Sequence, residues 1–209
     1  MAEYKELQEN VISGEEDKVK ASVSTLLNQG KNPTDIISNG LISGMSTVGE
    51  RMKAGDMFIP EVLASAEAMR AGLEVAKPYL KGELTFTAKA VMGQVSGDVH
   101  NIGRKFVNMM LESAGFAVVD LGDDVPAAKF VEAVKRENPD IVGISALLTT
   151  TMPNMKSVIN ALQEAGVKER VKVIVGGAPV NQAFADSIGA DGYAPDAITA
   201  VDKVKQLIL

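Results

Sequence analysis

Residues 93–103, Gly-Gln-Val-Ser-Gly-Asp-Val-His-Asn-Ile-Gly, carry the clearest structural signal in the chain. An apolar run at 88–92 precedes them and is typical of a buried strand. The segment 104–111 follows, and its apolar residues share one helical face: Phe106, Val107, Met110 and Leu111. The stretch is therefore predicted to be a strand-to-helix loop, which in an open parallel sheet lies at the edge where ligands bind.

The loop contains His100, the only histidine in 209 residues, and Asp98 precedes it by two positions. Because the chain has no cysteine, His100 is the one obvious neutral metal ligand. A solvated loop histidine is one alternative. A phosphate-cradling loop is another, although neither GxxxxGK[ST] nor GxGxxG occurs. On residue types alone, all three interpretations stay open.

From about Thr85 onward, strand and helix signals alternate. Strands are predicted at 87–93, 117–121, 141–145, 171–175 and near Tyr193. Helices are predicted at 102–115, 126–137, 153–165, 180–188 and 196–208. The third and fourth strands are nearly all apolar, as expected for strands covered on both faces. This pattern predicts a doubly wound α/β (Rossmann-type) domain with a five-stranded parallel sheet of flavodoxin-like order.

Residues 1 to about 82 show only helical signals. Four helices are predicted: Glu3 to Ile12, from Ser13 to Gly30, from Pro33 to Gly55, and from Pro60 to Pro78. Four helices with short joints predict a four-helix bundle. We therefore divide the chain into a helical domain, 1–82, and an α/β domain, 83–209.

Composition excludes several classes of partner. The net charge is −6 with no basic block, which argues against nucleic acid and anionic membrane surfaces. No apolar run approaches the roughly 20 residues of a membrane span, and the charged residues 1–11 predict a helix rather than a signal peptide. A chain without cysteine forms no disulfide and uses no thiolate, which fits a cytoplasmic protein.

Two further loops are predicted at the same sheet edge. Residues 145–151 follow the third strand and hold four hydroxyl groups, and Gly176-Gly177 follow the fourth. Taken singly, these features indicate only a helix cap at Thr151 and a tight turn at the glycines. Together with Asp98 and His100, they predict three loops that converge on one crevice.

At these spacings, Asp98-x-His100-x-x-Gly103, Ser145-x-Leu147 and Gly176-Gly177 resemble the cobalamin-binding signature. The chain is similar to the methyl-carrying corrinoid proteins and to the cobalamin module of methionine synthase. Residues 49–62 also resemble the helical cap of that family, so the resemblance extends over nearly the whole chain.

The resemblance implies a role for each matching position. His100 would bind cobalt from below through Nε2, and Asp98 would accept a hydrogen bond from its other nitrogen. Thr151 stands where the family has a serine that completes this relay. The cofactor's nucleotide tail would lie beside Gly103, Ser145, Leu147, Thr149, Gly176 and Gly177. An apolar cap over the methyl face would come from Met52, Ile59 and Val62. As a residue on a loop surface, Asp98 is expected to tolerate replacement by Asn with little loss of stability.

The resemblance further implies a non-catalytic methyl carrier that holds cobalamin or a related corrinoid, cycling between cob(I)alamin and methylcob(III)alamin. Its partners would be a donor-side methyltransferase, an acceptor-side methyltransferase (with tetrahydrofolate or coenzyme M as acceptor) and a reductive activase, without nucleic acid or membrane. Anaerobic one-carbon metabolism is the implied setting. The donor stays open among methylamines, methanol, glycine betaine and aryl methyl ethers, the last requiring O-demethylation. Movement of the cap is expected at residues 81–83.

Three other classes are weighed against this interpretation. A cobalamin mutase subunit would share the α/β domain but normally lacks the bundle. A cobalamin light sensor would have a DNA-binding domain in addition to the bundle, and we see no spare length for one. The chain also has no tryptophan. A flavodoxin-like protein that binds no cobalamin is the third alternative.

Overall fold

The structure, a computed structural model, describes residues 4–80 and 88–208. The chain divides into two compact units, one containing residues 4–80 and the other nearly all of 88–208. The predicted domain boundary between residues 82 and 83 and the predicted hinge at 81–83 lie outside the described residues. Within the described parts, no helix is long and apolar enough to cross a membrane.

The first unit is all-helical. Its elements are α1 (Lys5–Ile12), α2 (Glu16–Asn28), α3 (Pro33–Asp35), a π-helical stretch (Ile36–Ile42), α4 (Ser43–Ala54), α5 (Ile59–Ala76) and a 3₁₀ turn (Lys77–Tyr79). The predicted third helix is thus continuous but is π-helical over seven residues. The Asn32 side chain caps its start by accepting a hydrogen bond from the Thr34 N–H at 2.9 Å.

The fourth helix begins at Ile59, one residue before the predicted start. The cause is Glu61, whose carboxylate accepts a hydrogen bond from the Phe58 N–H at 2.8 Å and thereby ties down the residue before the helix. The buried face of this helix is made of small residues and a few larger apolar ones, among them Val62, Ala66, Ala68, Met69 and Gly72. These small residues permit close packing between α2 and α5.

The second unit is an α/β sandwich. Its strands are β1 (Lys89–Gln94), β2 (Ala117–Asp120), β3 (Ile141–Ser145), β4 (Lys172–Gly176) and β5 (Gly192–Ala194). Its helices are α6 (Ile102–Ser113), α7 (Ala127–Glu137), α8 (Pro153–Glu164), α9 (Gln182–Ile188) and α10 (Ala197–Ile208). All strand pairs are parallel, in the order β2-β1-β3-β4-β5, which confirms the predicted flavodoxin-like sheet.

The two faces of the sheet are covered by different helices. The β1-to-β2 connection runs opposite to the other three, so right-handed crossovers place α6 on one face and α7, α8 and α9 on the other. A Cβ added at Gly93 would lie 2.6 Å from the Phe130 ring, so this residue faces α7. Since side chains alternate along a strand, Met92 and Gln94 face α6.

Helix α6 buries a different stripe from the predicted one. Met110 and Leu111 are buried as expected, whereas Phe106 and Val107 are only half-buried. In their place Arg104 and Asn108 are buried, at 3% and 7% exposure, although both are polar. The amino-terminal half of this helix therefore presents polar groups toward the sheet.

Gly72→Ala is expected to destabilise the helical unit. Its Cβ would lie 2.7 Å from Val19 Cγ1 and 2.8 Å from Leu41 Cδ2, and both of these side chains are fully buried. Overpacking of this kind costs about 1–3 kcal/mol. The matched control is Gly49→Ala, another helical glycine, where a Cβ meets nothing within 4 Å and helix propensity should add about 0.5–1 kcal/mol. Urea unfolding followed by circular dichroism measures the free energy of unfolding of both variants. An equal gain in stability in the two variants would contradict the close packing at Gly72.

Candidate functional site

The site is organised around the side chain of Asp98, which is fully buried in the loop after β1. Its Oδ2 accepts hydrogen bonds from the Leu147 N–H (2.7 Å), the Leu148 N–H (3.2 Å) and the Thr151 hydroxyl (2.8 Å). Its Oδ1 faces the backbone N–H of His100 at 3.1 Å and the ring Nδ1 of the same residue at 3.0 Å. One carboxylate thus joins the loop after β1 to the loop after β3.

This hydrogen bonding keeps Asp98 ionised. Burial alone would raise the pKa of the carboxyl group, but the hydrogen bonds from Leu147, Thr151 and His100 outweigh burial and hold the pKa of Asp98 well below its usual range. The expectation that Asp98 is a surface loop residue is therefore wrong. A buried anion with this many donors is a structural centre of the loop as well as a partner of the histidine.

His100 is positioned by this anion. A carboxylate can only accept, so the Nδ1–H of the ring donates to Asp98 and the lone pair resides on Nε2. The side chain is 47% exposed, which leaves the ring accessible to a ligand. No group of three or more His, Asp or Glu side chains in residues 4–80 and 88–208 could hold a metal ion. A metal bound at Nε2 must therefore bring most of its other ligands with it.

A second set of contacts shapes the loop that carries the pair. Asp124 Oδ1 accepts hydrogen bonds from the Gly97 N–H at 2.7 Å and from the Ser96 hydroxyl at 3.1 Å. The Asn154 amide donates to the Ser96 carbonyl at 2.8 Å. Gly97 has a φ of +81°, a conformation that side-chain-bearing residues rarely adopt, which explains the glycine before Asp98.

The glycine turn after β4 closes the crevice from the other side. A Cβ at Gly177 would lie 1.8 Å from the carbonyl oxygen of Ala146, so only glycine fits there. Ser145 is half-buried and stands in register with Gln94 on one side and Gly176 on the other. Thr149 is exposed, and a Cβ at Gly103 would meet nothing within 4 Å.

Exposed apolar side chains flank His100. Val99 is 64% exposed, Ile102 85%, Leu147 41% and Leu148 39%. Val99 lies in the histidine's loop and Ile102 is the first residue of α6, whereas Leu147 and Leu148 donate their backbone N–H groups to Asp98. Of these residues, only Leu147 was predicted from the sequence to contact a ligand. Apolar residues beside a loop histidine were the available signal, since an apolar rim around a polar centre is typical of a ligand-binding surface.

The residues proposed for the cap lie in the helical unit. Met52, near the end of α4, is partly exposed, Ile59 is 52% exposed at the start of α5, and Val62 is fully buried. Phe58, at 68% exposure, adds to the apolar surface at this end of α5. The role of these residues above the cobalt stays a prediction.

Comparison with known proteins finds similarity in both units of the chain. A B12 binding domain family matches residues 88–202 and a second B12 binding domain family matches residues 3–77. Dimethylamine corrinoid protein 1 of Methanosarcina mazei is 47% identical over 98% of this chain and 95% of its own length. Trimethylamine corrinoid protein 2 of Methanosarcina acetivorans is 44% identical over 96% of this chain and 94% of its own length.

Among solved structures, the methanol:cobalamin methyltransferase complex MtaBC of Methanosarcina barkeri contains a similar chain. The similarity covers 99% of this chain and 80% of that one, with 34% sequence identity and a TM-score of 0.92.

The match of residues 88–202 to a B12 binding domain family, together with the flavodoxin-like sheet, identifies a cobalamin-binding protein. The chain belongs to the corrinoid proteins of cobalamin-dependent methyltransferase systems, in which it is a methyl carrier that works with methyltransferase partners. Its own residues fit the cofactor, because His100 offers one free nitrogen, and a corrin ring would supply the further metal ligands that no cluster within residues 4–80 and 88–208 provides.

Asp98→Asn is expected to lower the free energy of unfolding by about 1.5–3 kcal/mol, the usual effect of losing hydrogen bonds to a buried charge. An amide has one accepting oxygen and cannot serve both His100 and the Leu147–Thr151 loop. Because the folded-state pKa is lowered, the stabilisation is complete above the unfolded pKa of about 4 and is lost as pH falls further. Urea unfolding of the apoprotein from pH 7 to pH 3 measures it.

The matched control is Asp124→Asn. Asp124 is exposed and uses a single oxygen for both of its side-chain hydrogen bonds, which an asparagine oxygen can accept as well. Hydrogen bonds from Gly97 and Ser96 lower the pKa of Asp124 as well, but at an exposed site, so this variant should lose less stability at pH 7 than Asp98→Asn. Equal stability of the two variants at pH 7 would show that the Asp98 contacts do not hold the loop.

Proposed function

We propose that His100 is the protein's ligand to the corrinoid cobalt and that the methyl donor of this carrier is a methylated amine. The observation that carries the first point is the buried Asp98, which takes the Nδ1–H of His100 and leaves Nε2 free to bind metal. The second point is supported by the curated relatives at 44–47% identity, which are named for dimethylamine and trimethylamine.

When bound, the corrinoid supplies a cobalt centre that accepts a methyl group from one partner and gives it to another. The chain's residues set the ligand below that centre. Asp98 keeps its charge at neutral pH, so it draws the Nδ1 proton of His100 and increases the basicity of Nε2. Thr151 donates its hydroxyl to Asp98 and so holds the carboxylate in the required orientation. This hydrogen bond supports the assignment of Thr151 to the role that the resemblance gives to a serine at this position.

The nucleotide tail of the cofactor is assigned to the crevice beside the glycine turn. Gly103 leaves open space at the start of α6, and Gly176-Gly177 present backbone without side chains at the end of β4. We assign hydrogen bonds to the tail to Ser145, the last residue of β3, and to Thr149, an exposed residue in the loop that follows. Leu147 is assigned an apolar contact through its exposed side chain.

The apolar end of the helical unit is assigned to the methyl side of the cofactor, with Met52, Ile59 and Val62 as the cap. Ile59 offers exposed surface for this role, whereas the buried Val62 would act by supporting it. The domain boundary at residues 82 and 83 and a hinge at 81–83 belong to this proposal, since a cap has to move for a partner to reach the cobalt.

The partners are proposed by the same reasoning. A donor-side methyltransferase delivers the methyl group, and an acceptor-side methyltransferase moves it to tetrahydrofolate or coenzyme M. A reductive activase restores the cofactor after accidental oxidation, because only the reduced metal is nucleophilic. The protein itself needs no substrate pocket for any of these steps.

The donor is tested by reconstitution. The corrinoid-loaded protein is mixed with purified donor-side methyltransferases for dimethylamine, trimethylamine, methanol, glycine betaine and an aryl methyl ether, each with its substrate. The visible spectrum reports methylation of the cofactor. We expect methylation to be fastest with an amine enzyme, because productive docking depends on the carrier's surface. The methanol enzyme is the most informative comparison, because the fold is similar to that of the MtaBC chain. Faster methylation with the methanol enzyme than with an amine enzyme would overturn the amine assignment.

His100→Ala is expected to remove the axial protein nitrogen. The variant should still bind the corrinoid weakly through contacts to the tail, since those do not involve the imidazole. Electron paramagnetic resonance of the Co(II) form should show nitrogen splitting in the wild type and lose the histidine contribution in the variant. Val99→Ala, the neighbouring substitution, serves as control and should keep the splitting. An identical signal in wild type and His100→Ala would refute the ligand assignment.

A further inference from the structure

Three buried polar side chains remain without complete hydrogen bonding. Across residues 4–80 and 88–208, the buried side-chain atoms without a partner are Gln94 Nε2, Gln94 Oε1, Arg104 Nε and Asn108 Oδ1. Their residues are 0%, 3% and 7% exposed. Folded proteins pair nearly all such groups, so four orphan atoms in three residues need an explanation.

The three residues lie on the same side of the sheet. Gln94 faces the side covered by α6, because its neighbour Gly93 faces Phe130 on the opposite side. Arg104 and Asn108 are one helical turn apart on the buried stripe of α6, which continues to Leu111. Strand and helix therefore direct their orphan groups into the same layer.

That layer lies at the carboxyl edge of the sheet. Gln94 is the last residue of β1. It begins a row of paired residues across the sheet, which continues through Ser145, Gly176 and Ala194. The strand residues in the row beyond Gln94 are therefore all small. Helix α6 starts two residues after His100, which places the polar half of the helix next to the histidine loop.

Arg104 cannot pair its free Nε by changing its side-chain conformation. Its guanidinium group forms ion pairs with Asp120 and, at 2.6 Å, with Asp123, through the two terminal nitrogens. These pairs hold the group at the end of β2 and leave Nε as a fixed donor. The cluster therefore offers two donors, Gln94 Nε2 and Arg104 Nε, and two acceptors, Gln94 Oε1 and Asn108 Oδ1.

We propose that Gln94, Arg104 and Asn108 bind the heterocyclic base at the end of the corrinoid's nucleotide tail and select corrinoids whose base carries hydrogen-bonding groups, as a purine does. The inference rests on the proposed function, because ligation by His100 displaces this base from the cobalt and frees its polar edge. An adenine base brings an amino donor and ring-nitrogen acceptors, which match the cluster. A dimethylbenzimidazole base brings two methyl groups and one ring acceptor, and leaves most of the cluster unpaired.

The test compares corrinoids that differ only in the base. Apoprotein is titrated with the adenine cobamide, with the dimethylbenzimidazole cobamide and with cobinamide, which has no base. The spectral change on imidazole ligation gives each dissociation constant. We expect the adenine form to bind about tenfold or more tightly than the dimethylbenzimidazole form, since a site built for hydrogen bonds discriminates against a ligand that leaves its buried groups unpaired.

Gln94→Met and Asn108→Leu keep the approximate size of each side chain and remove its hydrogen-bonding groups. Each variant should bring the ratio of the two dissociation constants toward one by weakening the adenine form, with cobinamide binding unchanged. The apoprotein of Gln94→Met should unfold at the same or a higher temperature than the wild type, because two orphan atoms are gone. That readout separates a lost preference from a damaged fold.

Ser65→Ala is the matched control. It also removes a buried polar group, but one that is paired with the Ile12 carbonyl inside the helical unit, at 3.0 Å. The ratio of the dissociation constants for the adenine and dimethylbenzimidazole forms should be the same in Ser65→Ala as in the wild type. Similar affinity of the wild type for both base-bearing forms, or a preference that survives in Gln94→Met and Asn108→Leu, overturns the inference while corrinoid binding stands. A spectral change with none of the three corrinoids overturns the proposed function and the inference with it.

Discussion

The site depends on one buried anion. Asp98 is the point where two loops from different strands meet, and each loop satisfies one of its oxygens. A buried carboxylate without hydrogen bonds would destabilise the fold. The peptide N–H groups of Leu147 and Leu148 are therefore required to stabilise the charge of Asp98. The orientation of His100 follows from this arrangement, since its Nδ1–H donates to a carboxylate that the loop after β3 already holds in place. Ligand geometry and local stability therefore share the same contacts.

The glycines around the anion serve different purposes. Gly97 supplies a backbone conformation with a positive φ, directly before the residue that carries the carboxylate. Gly177 supplies space, because the carbonyl of Ala146 occupies the position of any side chain there. Gly103 is neither strained nor crowded, and its lack of a side chain matters only to something that approaches from outside. Of the three, Gly103 is thus the glycine whose presence the folded chain alone does not explain.

The sheet, its strand order and the histidine loop were predictable, because apolar runs and the spacing from Asp98 to Gly103 are local features of the sequence. The burial of Asp98 was not, since its donors come from residues about 50 positions away. Arg104 and Asn108 were missed for a related reason. Polar residues on a helix are normally solvated, so the periodicity assigned the buried face to Phe106 and Val107 instead. The roles at the cofactor rest on resemblance, and sequence periodicity carries no information about them.

The apolar residues around the histidine have a consequence for the life of the protein before it receives its cofactor. This part of the molecule exposes an apolar surface made of Val99, Ile102, Leu147 and Leu148. A newly made chain is then open to self-association and to chaperones, whereas a ligand that binds the folded protein stabilises it by mass action. The amount of working carrier in a cell should thus follow the supply of corrinoid more closely than the rate of synthesis of the chain.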